Sequence, residues 1–198
     1  MGRILTITGY SESGRHSLVE RLLREHPTAT LIKSVTTRDP SKSDLPGMYK
    51  HIEEDVFTVY WRLGTYLWSV AYQGLREQPF RYATEPKYVD RILRDEHAIG
   101  IMLLKPEGVI ALRQYLRKKG CLDVHTAVFL EAPPDDIHRR RLKSRNISLR
   151  AMTRAFHKAK EWKEAAAVSK KEGLVPYHFI KNDGRISVVA NAVNALLV

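Results

Sequence analysis

The chain alternates between short apolar runs and longer segments with helical spacing. Residues 3–8 form an apolar run that predicts a buried strand, and residues 17–26 place Leu18, Leu22 and Leu23 on one helical face. The same alternation predicts further strands at 30–35, 66–72, 98–104, 125–132 and 177–181, and helices at 53–63, 85–96, 106–119, 135–143, 148–171 and 185–198. Alternating strands and helices are typical of a parallel sheet covered by helices on both faces. We therefore predict an α/β fold.

The segment 35–84 departs from this alternation. Residues 39–50 are rich in proline, glycine, serine and charge, which predicts a loop. The stretch that follows is rich in aromatic residues. We interpret 36–84 as an insertion into a single domain whose core comprises 1–35 and 85–198.

Charge is the strongest signal in the composition. The 198 residues carry a net charge of +11, which predicts an anionic partner. Residues 133–171 contain twelve Lys or Arg and four Asp or Glu, a surplus of +8. Nucleotide phosphates, an acidic protein surface and RNA all fit such a basic segment.

Other features exclude several classes of protein. No apolar run is long enough to predict a membrane span, and the first residues lack the pattern of a secretory signal, so we expect a cytoplasmic protein without membrane partners. Cys121 is the single cysteine, which excludes an internal disulfide. His125, His138 and His157 have no metal-ligand spacing and are predicted to lie on the surface.

The stretch GYSESGRHS (9–17) follows the first predicted strand and leads into the first helix. Gly9 and Gly14 have the spacing of the phosphate-binding loop G-x-x-x-x-G-K-[ST], whose backbone N–H groups hold phosphates at the helix N-terminus. The candidate phosphate-binding residues are Gly9, Ser11, Ser13, Gly14, Arg15, His16 and Ser17.

Two positions of this loop differ from the template. Arg15 replaces the lysine and can still bind phosphate in a bidentate manner. His16 replaces the hydroxyl residue that binds Mg²⁺, and imidazole is a poor ligand for this hard cation. We therefore predict phosphate binding, expect no metal site, and regard dependence on Mg²⁺ as doubtful.

Several further stretches carry a resemblance to a known family. SVTTRDP (34–40), GMY (47–49), YAT (82–84), RRLKSR (140–145) and VPYHFIKND (175–183) resemble motifs of the guanylate kinases, a family of P-loop nucleoside monophosphate kinases. The resemblance implies a three-layer P-loop NTPase fold with a parallel core sheet, an acceptor-binding insert at 36–84 and a lid at about 138–160. It also implies ATP as the donor and a small phosphorylated acceptor such as GMP.

The resemblance assigns roles to individual residues. Ser34, Arg38, Tyr49 and Tyr82 would hold the acceptor phosphate, although Arg38 could instead form a salt bridge within its loop. Arg141 and Arg145 would face the donor phosphates and, with Arg15, form the catalytic set. Asn182 would contact the donor base.

The chain also differs from the family pattern. Trp68 stands where the family has the acidic residue that reads guanine, and Lys105 stands where it has a metal-associated aspartate, with Glu107 as the nearest acid. We count Trp68 and Lys105 among the acceptor-binding candidates. One alternative is a catalytically impaired binding module for a protein or nucleic acid. Another is a ribose 1,5-bisphosphate kinase, because TTRD (36–39) and SVAYQGL (69–75) are similar to that enzyme.

Overall fold

The computed structural model describes residues 1–10, 12–42, 44–72, 79–144, 148–182 and 184–197. Its strands are β1 Arg3–Thr8, β2 Ala29–Leu31, β3 Ser34–Thr36, β4 Tyr49–His51, β5 Trp68–Tyr72, β6 Phe80–Thr84, β7 Ile99–Leu103, β8 His125–Leu130 and β9 His178–Ile180. Its helices are α1 Arg15–Glu25, α2 Glu54–Arg62, α3 Pro86–Leu93, α4 Pro106–Lys118, α5 Asp135–Ser144, α6 Leu149–Lys171 and α7 Ile186–Asn194. A 3₁₀ turn at Leu122–Val124 precedes β8.

Five strands form the core sheet in the order β2-β7-β1-β8-β9, and every neighbouring pair is parallel. Side chains alternate between its two faces, as the twofold repeat of a strand requires. Ile4 and Met102 pack toward α3, α4 and α6, whereas Leu5 and Ile101 pack toward α1 and α7. The predicted three-layer α/β fold is confirmed.

The remaining strands form a smaller sheet in the order β4-β3-β6-β5. β3 is parallel to β4 but antiparallel to β6, and β5 is antiparallel to β6. Helix α2 covers one face of this sheet, where Val35, Phe57 and Ala83 are buried together. The other face carries Ser34, Tyr49, Tyr82 and Trp68, which the strand registers place on the opposite side from Val35 and Ala83.

Two sequence predictions are wrong in this region. The single strand predicted at 30–35 is divided between β2 in the core sheet and β3 in the smaller sheet, with Ile32 and Lys33 as the connection. The loop predicted at 39–50 ends in the short strand β4, which is too brief to show a periodic pattern. None of the described helices is both long and apolar enough to span a bilayer.

Two of the histidines predicted on the surface are buried. His138 is 1% exposed and its ring lies 4.9 Å from that of Phe156. His125 is 6% exposed at the start of β8, between Thr6 and Arg113. Arg113 Nη1 donates to His125 Nδ1 at 3.3 Å, so Nε2 carries the hydrogen that it donates to Thr6 Oγ1 at 2.9 Å. Each ring has packing or hydrogen-bonding partners inside the core. The lack of metal-ligand spacing was therefore no reason to place these histidines on the surface.

The stability of the protein should depend on pH through His125. Burial, together with the charge of Arg113, lowers the pKa of His125 to about 3. The unfolded state binds a proton at a pKa of about 6.5, so stability is full above that value and is lost as pH falls toward 3. For this one group, we expect a loss of about 2 kcal/mol between pH 7 and pH 5.

The His125→Gln variant retains an amide that can bond Thr6 but cannot titrate, so urea unfolding at pH 7 and pH 5 should show a smaller loss than in the wild type. His97→Gln is a matched control, because His97 has an exposed side chain. An equal pH dependence in the wild type and in both variants would contradict the assignment.

Candidate functional site

The loop between β1 and α1 has a backbone that only glycine permits at two positions. Gly9 has φ 158°, and a β-carbon there would lie 2.6 Å from the carbonyl oxygen of Leu130. Gly14 has φ 95°, and a β-carbon there would lie 2.8 Å from Asn182 Nδ2. Glu12 between them has φ 63°, an uncommon conformation for a residue other than glycine. The two glycines therefore set a tight turn immediately before α1.

Side chains from distant segments hold the loop carbonyls. Asn182 Nδ2 donates to the Ser13 carbonyl at 2.5 Å, and Arg141 Nη1 donates to the Glu12 carbonyl at 3.1 Å. Asn182 is 2% exposed, and its Oδ1 accepts from the Gly184 amide at 2.9 Å. Backbone groups therefore bond to both ends of the Asn182 amide, and its contact with the donor base stays a prediction.

The turn leaves the N-terminus of α1 available to an anion. Gly14 caps the helix without a side-chain hydrogen bond, and the first turn, which contains Arg15, His16 and Ser17, has no acidic residue. The positive end of a helix favours an anion at this place. Ser13 Oγ in the loop is buried and has no hydrogen-bond partner among the described residues. Ser11, also predicted to bind phosphate, lies outside the described residues.

A cavity of about 170 Å³ lies next to this loop. It is enclosed by the start of α1, the open face of the smaller sheet, the carboxyl end of β7 and helix α6. Its lining residues are Arg15, Ser34, Tyr49, Trp68, Val70, Tyr82, Leu103, Leu104, Lys105 and Trp162. The structure thus brings together six residues that the sequence nominated from six separate segments. A wider groove of about 570 Å³ follows the exposed side of α6 between Leu149 and Glu161, away from the loop.

Tyr49 and Tyr82 of the smaller sheet line the cavity together with Arg15 of α1. Tyr49 and Tyr82 lie with ring centroids 5.8 Å apart. Burial, with a contribution from Tyr82, raises the pKa of Tyr49 to about 12, so its hydroxyl remains protonated near neutral pH. Arg15 opposes this rise, which places its charge near Tyr49.

Arg38 is close to these tyrosines but does not line the cavity. Its Nε donates to Tyr82 Oη at 3.2 Å, its Nη2 contacts Asp44 Oδ1 at 2.5 Å, and its Cζ lies 5.2 Å from the Tyr49 ring centroid. Arg38 thus forms the salt bridge within its loop, and its contact with an acceptor phosphate stays a prediction. The hydrogen bond from Arg38 orients the Tyr82 hydroxyl, which lines the cavity.

Lys105 and two indole rings complete the lining of the cavity. Lys105 is the N-cap residue of α4, and its Nζ lies 5.7 Å from the Trp162 ring centroid. Burial lowers the pKa of Lys105, although Glu107 acts in the opposite direction. The Trp68 ring lies 3.5 Å from where a β-carbon at Gly108 would be, and its Nε1 is buried without a hydrogen-bond partner among the described residues.

Sequence reasoning missed Trp162 and Tyr10. The Trp162 ring meets Tyr10 edge-on, with centroids 5.1 Å apart, so α6 packs directly on the loop. A signal was present in the sequence: Met152, Ala155, Phe156, Ala159 and Trp162 recur at three- and four-residue intervals within the basic helix. This stripe marks the buried face of α6. Arg141 lies close to Gly14, and its predicted contact with the donor phosphates stays a prediction, whereas Arg145 lies outside the described residues.

The described side chains at this edge offer few ligands to a magnesium ion. Mg²⁺ prefers oxygen ligands, but none of the described residues that line the cavity is a carboxylate. Glu107 is exposed beside Lys105, and Glu131 Oε1 is held by Lys163 Nζ at 2.6 Å. Within the described ranges, no group of three or more His, Cys, Asp or Glu side chains is arranged to hold a metal ion.

Comparisons with known proteins agree with the arrangement of strands, loop and cavity. No family model matches the chain. The chain is 25% identical over 142 residues to the guanylate kinase of Bifidobacterium longum (strain NCC 2705), a match that covers 70% of this chain and 68% of that protein. The crystal structure of guanylate kinase from Anaplasma phagocytophilum superposes with a TM-score of 0.63 at 18% identity, covering 99% of this chain and 84% of that one. The chain is therefore guanylate kinase-like in sequence and in fold.

Proposed function

We propose that the protein transfers a phosphoryl group from ATP to a small phosphorylated acceptor, of which GMP is the first to test. The observation that carries this proposal is the shared cavity, because it places Arg15 of the phosphate-binding loop beside Ser34, Tyr49 and Tyr82 of the smaller sheet. A donor held at the loop and an acceptor phosphate held by the hydroxyls would therefore meet at Arg15. The relatives with the same fold are guanylate kinases.

Each part of the site has a role in this proposal. The loop from Gly9 to Ser17, including Ser11, Ser13, Gly14 and His16, would bind the donor phosphates through its backbone amides and the N-terminus of α1. Arg15, Arg141 and Arg145 would stabilise the charge of the transferring group. Phosphoryl transfer depends mainly on positioning and electrostatic stabilisation, so no covalent role for the protein is needed.

The domain organisation is part of the same proposal. Residues 36–84 would form the acceptor-binding insert on a core of 1–35 and 85–198, and residues 138–160 would form the lid over the donor. The reaction would take place in the cytoplasm, where ATP is abundant.

A second candidate function is a binding module without efficient catalysis. The observation that favours it is the replacement of a carboxylate by Lys105 in the cavity, together with Arg15 and His16 in the loop. The basic surface formed by residues 133–171 would then be the binding face for an acidic protein or RNA. Exposed cations on that surface include Arg139, Arg140, Arg150 and Arg154. Ribose 1,5-bisphosphate kinase activity is the third candidate, since Trp68 need not read a guanine base.

Turnover with a panel of acceptors separates these candidates. With ATP and Mg²⁺, we expect a coupled ADP-release assay to show phosphorylation of GMP above the rate without acceptor. Exclusive turnover of ribose 1,5-bisphosphate would identify the third candidate. Binding of ATP without turnover of GMP, dGMP or ribose 1,5-bisphosphate would contradict the kinase proposal and favour the binding module.

The Tyr82 hydroxyl should contribute to acceptor binding. Tyr82→Phe removes a donor from the cavity and the partner of Arg38 Nε. A hydrogen bond to a charged group contributes about 1.5–3 kcal/mol, so we expect the KM for the acceptor to rise about tenfold to hundredfold. Tyr60→Phe is the control, because Tyr60 lies on the exposed surface of α2. Equal effects of the two substitutions on KM would remove Tyr82 from the acceptor site.

Restoring the template residues should increase metal-assisted transfer. The triple variant Arg15→Lys, His16→Ser and Lys105→Asp supplies a compact ammonium, a hydroxyl ligand and a carboxylate near the loop. We expect its rate of GMP phosphorylation with ATP and Mg²⁺ to exceed that of the wild type by about tenfold or more, because the metal neutralises charge in the transition state. The same triple change assayed with EDTA is the internal control, and an increase there would contradict the metal-based explanation.

A further inference from the structure

Among the described residues, Arg15 and Lys105 are the two cations that line the cavity beside the loop. The parallel register pairs Ile7 of β1 with Leu103 of β7, so Lys105, two residues beyond, lies level with Gly9. Adjacent strands are about 4.8 Å apart, which brings the N-cap position of α4 next to the first residue of the loop. Lys105 is therefore positioned to reach phosphates held by that loop.

The side chain of Arg15 also lies close to Gly9. Its Cδ lies 3.4 Å from where a β-carbon at Gly9 would be, so its stem crosses the start of the loop. Its charge also acts on Tyr49 across the cavity. Arg15 and Lys105 thus line the same cavity, Arg15 with its charge near Tyr49 and Lys105 with its Nζ near Trp162.

The part of the cavity beside Arg15 and Lys105 is unsuitable for a divalent cation. A magnesium ion bound to nucleotide phosphates beside the loop would face the positive charges of Arg15 and Lys105 instead of carboxylate ligands. His16, in the first turn of α1, offers imidazole where a hydroxyl is required. Of the nearby acids, Glu107 lies beside Lys105 and Glu131 beside Lys163.

Two hydrogen-bond donors near the loop and the cavity are buried without partners among the described residues. They are the Ser13 hydroxyl and the Trp68 indole N–H. Trp68 lines the cavity, whereas Ser13 does not. Phosphate oxygens accept hydrogen bonds from both kinds of group, whereas a hydrated metal ion presents water protons toward its surroundings.

We infer that the site binds its nucleoside triphosphate as the metal-free anion, with Arg15 and Lys105 supplying the counter-charge that Mg²⁺ supplies elsewhere. This inference rests on the proposed function for the identity of the ligand, ATP. Bidentate contacts from Arg15 and a point charge from Lys105 would neutralise the phosphates directly. The protein would then discriminate against the magnesium complex, because that complex carries less negative charge toward the two cations.

Calorimetric titration of the full chain with ATP tests the inference. One titration contains excess EDTA and the other excess Mg²⁺, with ionic strength matched by NaCl because screening alters charged contacts. We expect binding in EDTA to be as tight as with Mg²⁺ or tighter. Parallel titrations with Mn²⁺ examine the softer metal that His16 could accept, and we expect no gain in affinity from it.

Two variants that each remove one positive charge test whether Lys105 itself contributes to ATP binding. Lys105→Met should weaken ATP binding in EDTA by about tenfold or more, since a charged hydrogen bond is lost. Lys118→Met removes the same charge at the far end of α4, where Lys118 is exposed, and should leave ATP affinity unchanged. Lys105→Asp should reverse the preference, so that Mg²⁺ now strengthens ATP binding. Thermal melting of each variant without ligand distinguishes lost binding from lost folding.

The outcomes distinguish this inference from the proposed function. Binding of ATP only with Mg²⁺ or Mn²⁺ would overturn metal-free binding while leaving the kinase proposal in place. Equal affinities of Lys105→Met and Lys118→Met in EDTA would also overturn it. Absence of ATP binding under every condition would overturn the proposed function itself, and the inference with it.

Discussion

The parallel pairing of β1 with β7 and β8 is the constraint on which the site depends. Each pairing covers five of the six residues of β1, so the three strands end at the same edge of the core sheet. The loop that begins with Gly9, together with Lys105 and Glu131, follows these strand ends. In open α/β sheets, binding sites form at the carboxyl ends of the strands for this reason. A shift of β7 by one residue would turn its buried side chains to the opposite face and move Lys105 away from Gly9.

The smaller sheet completes the cavity because its two faces have different partners. Val35 and Ala83 pack under α2, which leaves Ser34, Tyr49 and Tyr82 facing the loop. A hydroxyl-rich wall thus faces a cationic one. The contact of Trp68 with the first turn of α4 joins the smaller sheet to the core. The chemistry of the cavity therefore arises from packing on both of its sides, and neither sheet contains the site alone.

The fold was largely predictable from sequence, whereas the site was predictable only in part. Long apolar runs such as β1 and β8 identify the core sheet because each strand is buried on both faces. β4 escaped detection because three residues cannot show a period, and the division of 30–35 depends on contacts with two different sheets. Spacing nominated Arg15, and the motif resemblance nominated Tyr49, Tyr82 and Lys105. The burial of Asn182, the pairing of Arg38 with Asp44 and the approach of Trp162 depend on tertiary contacts that no local pattern encodes.

The edge-on contact between Trp162 and Tyr10 connects the basic helix α6 with the loop that begins with Gly9. Trp162 belongs to the helix that exposes Arg150 and Arg154, and Tyr10 belongs to the loop that begins with Gly9. A rigid helix transmits a displacement of one face to the other. If the loop binds a nucleotide as proposed, a macromolecule that favours one position of α6 changes the affinity for that nucleotide by some factor. Thermodynamic reciprocity then requires the nucleotide to change the affinity for that macromolecule by the same factor.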